Sequence, residues 1–317
     1  MSKRVGATLA AAVVCSVATL GCEPQQFLNI LTGGTSGVYY PMGVGLSQLY
    51  RRALPEMRLS VQATRASAEN LHLLQARRGE LGFTLGDALS DAWRGNDAAG
   101  FSRPLTRLRV VAGIYPNYIQ IVASADAGIR TLADLAGKRI SVGAPGSGTE
   151  LNARAILGAA GFTYEDFSKV EYLAFGESVE LMKNRQLDIT LQSAGLGVAS
   201  LRDLAIAVPV VVVPIPADVV HKTGSSAYQA ASIPADTYPG QTDDVPTATI
   251  QNFLVTHEEV SDEVVYIMTK TLFENLDELV AAHTAAREIT LEHAIGNTPV
   301  PLHPGAARYY REVGLIQ

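Results

Sequence analysis

The sequence predicts an α/β protein with two lobes, each a mainly parallel sheet flanked by helices, and a ligand cleft between the lobes. The order strand, glycine-rich loop, helix, strand, helix, strand occurs first near the N-terminus and again in the middle of the chain. The spacing repeats too, because Ser67 follows Ser36 and Ser178 follows Ser147 at the same distance of 31 residues. Parallel βαβ units bind ligands at the carboxyl ends of their strands, where both glycine loops lie.

The first unit begins at an apolar strand, residues 27–31, which runs into the loop 32–37 (TGGTSG) and then into a helix. A second strand precedes another helix, for which we expect Ser67 to be the N-cap and Gly79 the C-cap. The third strand of the unit ends at Asp87. Glycine lets a backbone approach a guest closely, so the loop is expected to form one wall of the cleft.

The second unit has its glycine loop at residues 143–149 (GAPGSGT), between a short strand and a helix. Free N–H groups in the first turn of that helix favour an anion, so the loop is a candidate anion cup. An ordinary tight turn with Thr149 as the N-cap is the alternative. Strands are predicted at 170–175 and 187–191, and the second of them leads into Gln192 and Ser193.

Two crossings between the lobes are expected. Residues 108–123 are two β-rich pieces that meet at a Tyr-Pro-Asn-Tyr sequence, which would bring Tyr115 near a ligand, whereas Tyr118 is expected to pack on the core. A short apolar run at 208–216 is predicted to be a buried strand. The last third of the chain is expected to return to the first lobe. The predicted lobes are therefore residues 27–117 plus 245–317 for lobe 1 and residues 118–244 for lobe 2.

The first 21 residues have the pattern of a secretion signal, in which a short basic region precedes the apolar run 7–20. Residues 20–22 (LGC) resemble a lipobox, in which Cys22 would be acylated, and simple cleavage nearby to give a free periplasmic protein is the alternative. The chain has two cysteines, and Cys15 lies within the signal, so the mature chain would contain no internal disulfide. We therefore expect an extracytoplasmic, periplasmic location.

Composition and motifs argue against several classes of function. The 317 residues suffice for two domains, and a net charge of −6 is not that of a nucleic-acid-binding surface. Ser36 and Ser147 do not fit G-x-S-x-G, and neither a phosphate-binding P-loop nor a G-x-G-x-x-G sequence is present. The six histidines are dispersed, mostly on expected helix surfaces or loops, so no zinc motif forms. We expect a protein that is not an enzyme and that uses no metal or cofactor.

Four motifs in a fixed order resemble the TAXI family of TRAP-transporter solute receptors. They are residues 32–41 (TGGTSGVYYP), 132–139 (LADLAGKR), 142–150 (VGAPGSGTE) and 243–247 (DDVPT). The resemblance implies a monomeric receptor with the type II periplasmic-binding-protein fold, which closes on a small organic anion. The anion would be glutamate, a related amino acid, or a C4–C5 dicarboxylate such as 2-oxoglutarate. The receptor would deliver it to a TRAP-type permease and would meet the membrane otherwise only through a lipid anchor.

Other partners and roles stay open at this point: an ABC permease, a sensor kinase, an enzyme on the same fold, or a scaffold without a ligand. The candidate ligand-binding residues are Gly34, Thr35, Ser36, Tyr39, Arg65, Ser67, Asn70, Asp87, Tyr115, Ala144, Gly146, Ser147, Gly148, Thr149, Glu177, Gln192 and Ser193. Arg65 stands where many relatives have a small residue; it would pair with a ligand carboxylate if it turns inward, and is a solvated surface arginine if it turns outward. Asp87 or Glu177 could receive a ligand ammonium group; if neither does, an oxo- or hydroxy-dicarboxylate is favoured over an amino acid.

Overall fold

Ten strands and ten α-helices make up the fold in residues 26–317, which are the residues that the computed structural model describes. The strands are β1 (Phe27–Leu31), β2 (Arg58–Gln62), β3 (Leu81–Leu85), β4 (Leu108–Ser124), β5 (Arg139–Ser141), β6 (Lys169–Glu171), β7 (Ile189–Ala194), β8 (Val210–Val213), β9 (Gln229–Ile233) and β10 (Val245–His257). The helices are α1 (Tyr39–Ala53), α2 (Ser67–Gln75), α3 (Gly86–Arg94), α4 (Gly148–Ala159), α5 (Phe175–Lys183), α6 (Ala199–Ala207), α7 (Ala217–Lys222), α8 (Asp262–Glu274), α9 (Leu276–Ala282) and α10 (Pro304–Glu312). The predicted signal segment 1–21, with Cys15, and the predicted acylation site Cys22 lie outside the described residues.

The strands join in one mixed sheet with the order β2-β1-β3-β10-β4-β7-β5-β6, while β8 pairs with β4 and β9 pairs with β10. At one end, β1 lies parallel to both β2 and β3, and at the other, β5 lies parallel to both β6 and β7. We call β1–β3 with α1–α3 the first half, and β5–β7 with α4 and α5 the second half. Each half has the predicted βαβαβ plan.

Two long antiparallel strands connect the halves. The first part of β4 pairs with β10, and its last part pairs with β7 and β8. The prediction of two β-rich pieces that meet at a bend was wrong, because β4 continues through Pro116, which pairs with Gln251 of β10. The ladder between β4 and β10 has register shifts after Gln251 and Leu254, close to where both strands pass from one half to the other. The lobe boundaries at residues 117/118 and 244/245 stay a prediction.

The structure corrects four predicted element ends. Ser67 is the first residue of α2 and not its N-cap; the N-cap position is Ala66, and the helix ends at Gln75, before Gly79. Ser147, not Thr149, caps α4, because the Ser147 hydroxyl accepts a hydrogen bond from the Glu150 N–H at 3.1 Å. The predicted strand at 170–175 stops at Glu171, and the chain soon turns into α5.

Helices of the C-terminal third contact the first half. Helices α8 and α9 pack against α1, and α10 packs against α8. The buried Tyr310 hydroxyl donates to the Val111 carbonyl of β4 at 2.7 Å, which ties α10 to the centre of the sheet. Of the predicted buried strand at 208–216, residues 210–213 form β8, in which Val212 and Val213 are buried. Within residues 26–317, no helix has the length and apolar character that a membrane crossing requires.

Candidate ligand cleft

A cleft lies between the two halves, at the carboxyl ends of the parallel strands of both. It encloses about 690 Å³ of space, including the open solvent of its mouth. Its walls are formed mainly by the loops that follow these strands and by the helix starts after them. The lining residues are Gly33, Gly34, Ser36, Gly37, Val38, Tyr39, Thr64, Arg65, Ala66, Ser67, Leu85, Asn117, Ala144, Ser147, Gly148, Thr149, Ala174, Phe175, Ser193 and Ala194.

The structure brings ten of the predicted site residues together in this lining and leaves seven outside it. Those in the lining are Gly34, Ser36, Tyr39, Arg65, Ser67, Ala144, Ser147, Gly148, Thr149 and Ser193. Those outside it are Thr35, Asn70, Asp87, Tyr115, Gly146, Glu177 and Gln192. Both glycine-rich loops therefore face the same cavity, as the repeated plan of the sequence indicates.

Five helices begin at the cleft. The lining contains the first residue or the preceding residue of α1, α2, α3, α4 and α5. The first-turn N–H groups of a helix have no acceptor within the helix, and the helix dipole adds partial positive charge there. Helix starts at a cavity are a common means of binding an anion, and five of them lie at this one.

The side chains of the lining are nearly all neutral. In the described chain Arg65 is the only charged residue among those that line the cleft. Its side chain is 57% exposed and its Nε lies 3.2 Å from Oε2 of Glu69, which lies in the first turn of α2. The Glu69 carboxylate also accepts from the Arg65 backbone N–H at 2.7 Å. Arg65 is thus held at the rim by a local partner.

A network of hydrogen bonds among buried polar side chains lies at the floor of the cleft. The Tyr39 hydroxyl donates to Asn252 Oδ1, and Asn252 Nδ2 donates to Asn117 Oδ1 at 2.7 Å. Asn117 Nδ2 in turn donates to the Ser193 carbonyl at 2.9 Å. Burial raises the pKa of Tyr39 well above its usual value, so its hydroxyl stays protonated. This series of hydrogen bonds links α1 through both crossing strands to β7, and so joins the two halves at the floor of the cleft.

The two halves touch across the cleft. A Cβ atom on Gly148 of α4 would lie 2.5 Å from Ser67 Oγ and 2.6 Å from Leu85 Cδ1, both in the first half. On the same principle, a Cβ on Gly37 would lie 3.8 Å from the Phe175 ring. These approaches describe a closed cleft, in which glycine at position 148 leaves room for the opposite wall.

Two predicted acidic ligands have other partners. The exposed Glu177 carboxylate accepts from the Ala174 N–H at 3.0 Å and so caps its own helix. Asp87 lies two residues beyond Leu85 but faces a second groove, where its carboxylate accepts from Asn152 of the second half and from Tyr228, which precedes β9. Neither carboxylate lines the cleft, which removes both predicted partners for a ligand ammonium group.

The other residues outside the lining have structural roles or point to solvent. Asn70 is buried and its amide donates to the carbonyls of Thr32 and Phe83, which joins α2 to strands β1 and β3. Gln192 is buried and accepts from the Ser200 hydroxyl at 2.6 Å. Tyr115 is fully buried. The loop residues Thr35 and Gly146 are exposed.

Half of the lining was not among the candidate residues named from the sequence. Gly33 and Gly37 lie in the loop that was expected to form a wall, and the residues that were missed are Val38, Thr64, Ala66, Leu85, Asn117, Ala174, Phe175 and Ala194. Most are small or apolar residues that flank a predicted one, and the rule that every parallel strand ends at the cleft would have found them. Phe175 was not predicted to line the cleft because the sequence placed it in a strand over 170–175, whereas it is the first residue of α5.

Comparison with known proteins agrees with this architecture. The model of the NMT1-like family matches residues 30–314. Three solved structures share the fold: the periplasmic binding protein BugD (12% identity, 92% of this chain and 95% of that one, TM-score 0.59), PhnD1 of Prochlorococcus marinus in complex with methylphosphonate (10%, 92% and 100%, 0.58), and a binding protein component of an ABC phosphonate transporter of Pseudomonas aeruginosa (12%, 84% and 80%, 0.52). The predicted type II periplasmic-binding-protein fold is confirmed.

Proposed function

This chain belongs to the NMT1-like family, and from that premise we propose that it is an extracytoplasmic solute-binding receptor. It captures a small organic anion in the cleft and delivers it to a membrane permease. The observation that carries the proposal is the convergence of five helix starts on one cavity with a neutral, glycine-rich lining. Backbone N–H groups and hydroxyls then bind the anion by geometry, as helix N-termini do for phosphates and carboxylates.

The lining favours an anion that has no ammonium group. The carboxylates of Asp87 and Glu177 have other partners, and no acidic side chain lines the cleft within the described residues. An oxo- or hydroxy-dicarboxylate such as 2-oxoglutarate is therefore a better candidate than glutamate. Each charge-assisted hydrogen bond contributes roughly 1.5–3 kcal/mol, so three or four would support micromolar binding after the costs of association.

The permease is assigned from the four motifs that resemble TAXI receptors, and we propose a TRAP-type secondary transporter. An ABC permease is the second candidate, because one protein of the same fold is a component of an ABC phosphonate transporter. In either case the receptor is proposed to be a monomer in the periplasm, with Cys22 as its lipid anchor. We propose that the lobes close by bending where β4 and β10 cross between the halves.

A calorimetric panel tests the ligand class. The purified protein would be titrated with 2-oxoglutarate, malate and glutamate, and with methylphosphonate and an alkanesulfonate as anions of other geometry. We expect a dicarboxylate without an ammonium group to bind at least tenfold more tightly than glutamate. Tighter binding of glutamate would refute the ligand class, and the absence of binding by every anion would refute the receptor function.

Uptake assays test the permease. Cells would be loaded with the radiolabelled ligand found in the panel, with and without the gene of this chain. Uptake that depends on this chain and collapses with the ion gradient supports a TRAP-type partner. Uptake that persists without the gradient and requires ATP instead supports the ABC alternative.

A further inference from the structure

A second groove lies beside the cleft, between the same two halves. Asp87 of α3, in the first half, is on its wall. Asp87 Oδ2 accepts two hydrogen bonds from residues beyond the crossing of β4: one from Asn152 Nδ2 of α4 at 2.7 Å, and one from the Tyr228 hydroxyl at 2.8 Å. Asp87 Oδ1 accepts from the Ala88 N–H of its own helix at 2.7 Å. The carboxylate therefore joins the two sides of the groove.

The three side chains form a closed triangle, because Asn152 Nδ2 also donates to the Tyr228 hydroxyl at 3.1 Å. Asn152 is fully buried and Tyr228 is 7% exposed, while Asp87 is partly buried. Gly148 and Leu85 meet across the cleft. Asn152 lies one helical turn after Gly148, and Asp87 lies two residues after Leu85. The triangle thus exists only while α4 lies close to α3.

The donors to the Asp87 carboxylate are all neutral among the residues described. The charged or titratable groups that face it or share the groove are Tyr39, Asp91, Arg94, Glu150, Arg154, Glu288, Glu292 and His293. Both nearby arginines are engaged elsewhere: Arg94 binds Asp91 at 3.1 Å, and Arg154 binds Glu150 at 2.6 Å and the Ala98 carbonyl at 2.9 Å. Asp87 is partly buried and has no free cation beside it among the described residues, and both conditions favour the protonated form of a carboxyl group.

We propose that Asp87, Asn152 and Tyr228 form a proton-linked lock that stabilises the closed cleft, so that ligand capture is accompanied by proton uptake at Asp87. The inference rests on the proposed function only in requiring that the cleft opens and closes.

The sign of the pH dependence follows from linkage. In the closed form burial, opposed by the Tyr228 hydrogen bond and aided by the charge of Asp91, raises the pKa of Asp87 from 3.8 to about 6. Opening separates α3 from α4 and returns the carboxyl towards its ordinary pKa. The closed form therefore binds more protons between these values, and acidification favours closure. The equilibrium constant for closing is expected to increase by about five- to tenfold when the pH falls from 7.5 to 5.

Calorimetry with 2-oxoglutarate as the probe tests the lock. In the wild type the dissociation constant is expected to fall five- to tenfold from pH 7.5 to pH 5. In Asp87→Asn, which keeps an acceptor for Tyr228 but cannot be protonated, the change should shrink to less than twofold. Asp97→Asn, an exposed carboxylate ten residues later, is the matched control and should behave as the wild type. Comparing variants cancels any titration of the probe itself. Equal pH dependence in wild type and Asp87→Asn would overturn the proposal.

Two further measurements keep the lock separable from the receptor function and from folding failure. If 2-oxoglutarate does not bind, small-angle scattering of the unliganded protein should give a smaller radius of gyration at pH 5 than at pH 7.5. Asp87→Asn should remove this difference, and an unchanged radius in the wild type overturns the lock.

If Asp87→Asn does not fold, the second variant is Tyr228→Phe. It removes a donor that lowers the Asp87 pKa, so the midpoint of the pH dependence should move upward. An unmoved midpoint would overturn the proposal.

Discussion

Gly148→Ala should weaken ligand binding by preventing the closed cleft from forming. The added Cβ would lie 2.5 Å from Ser67 Oγ, 2.6 Å from Leu85 Cδ1 and 3.0 Å from Ser67 Cβ. These are shorter than van der Waals contacts, and all three atoms belong to the opposite half. Gly148 is not among the glycines with a positive φ, so alanine is compatible with the backbone itself. The clash is therefore confined to the approach of the two halves.

The size of the effect follows from the cost of overpacking. Forcing one extra carbon into a well-packed interface costs about 1–3 kcal/mol, and 1.4 kcal/mol corresponds to a factor of ten in an equilibrium constant. Because the open form has no such contact, the whole cost falls on closure. We expect the dissociation constant to rise by roughly five- to hundredfold, while the free energy of unfolding of the separate lobes changes little.

Gly158→Ala is the matched control, because Gly158 lies in the same helix and a Cβ there would meet nothing within 4 Å. Replacing glycine by alanine in a helix interior stabilises it by about 0.5–1 kcal/mol. This control should therefore raise the melting temperature slightly and leave affinity unchanged. Calorimetric titration of both variants gives the affinities, and small-angle scattering with ligand shows whether Gly148→Ala still becomes compact. Wild-type affinity in Gly148→Ala, with closure intact, would refute the reasoning.

Three other changes have expected outcomes. Ala66 has φ 69° and ψ −155°, a conformation that normally requires glycine, so Ala66→Gly should raise the free energy of unfolding by about 1 kcal/mol in chemical denaturation. Arg65→Ala should change ligand affinity by less than about threefold in calorimetry, because Arg65 is held at the rim by Glu69 in an exposed ion pair. Burial lowers the pKa of His303, which is fully buried and accepts from the Gly305 N–H, so the unfolded chain binds more protons and stability should fall as pH drops below about 6.5. His303→Asn keeps an acceptor at the helix start and should flatten that fall in melting temperature; an unchanged slope would contradict this role.

The fold was accessible from the sequence because both halves repeat one local plan. Apolar runs that end at glycine-rich loops define parallel strands, and a parallel sheet places its loops at one edge. The same regularity predicted Ser36, Ser147 and Gly148 at a common cavity, and the structure places them there. The repeated βαβαβ pattern did not predict that β4 continues through Pro116, because that strand lies between the halves and belongs to neither repeat.

Polar side chains at strand ends were the least predictable. Asp87 and Glu177 both follow parallel strands, which is where ligand-binding carboxylates often occur, yet local geometry gave each another partner. Glu177 reaches back to the N–H of Ala174, a capping interaction set by three residues of spacing. Asp87 binds Asn152, a residue 65 positions away, and only the closed arrangement of the halves creates that contact. His257 and His303 belong to the six histidines that were expected to lie mostly on helix surfaces or in loops, and both are buried.

A neutral cleft makes closure part of binding itself. Hydroxyls and helix starts attract an anion weakly in water, and their effect grows when the cavity excludes solvent. Gly148 and Asn152 lie one turn apart on α4, so the proposed closing movement would bring the α4 N-terminus to the ligand and Asn152 to Asp87 together. Gly148, which permits the close approach of the two halves, and Asn152, which is proposed to stabilise it, therefore lie on the same helix. Affinity in such a receptor depends on how stable the closed form is, and not only on the contacts that the ligand makes.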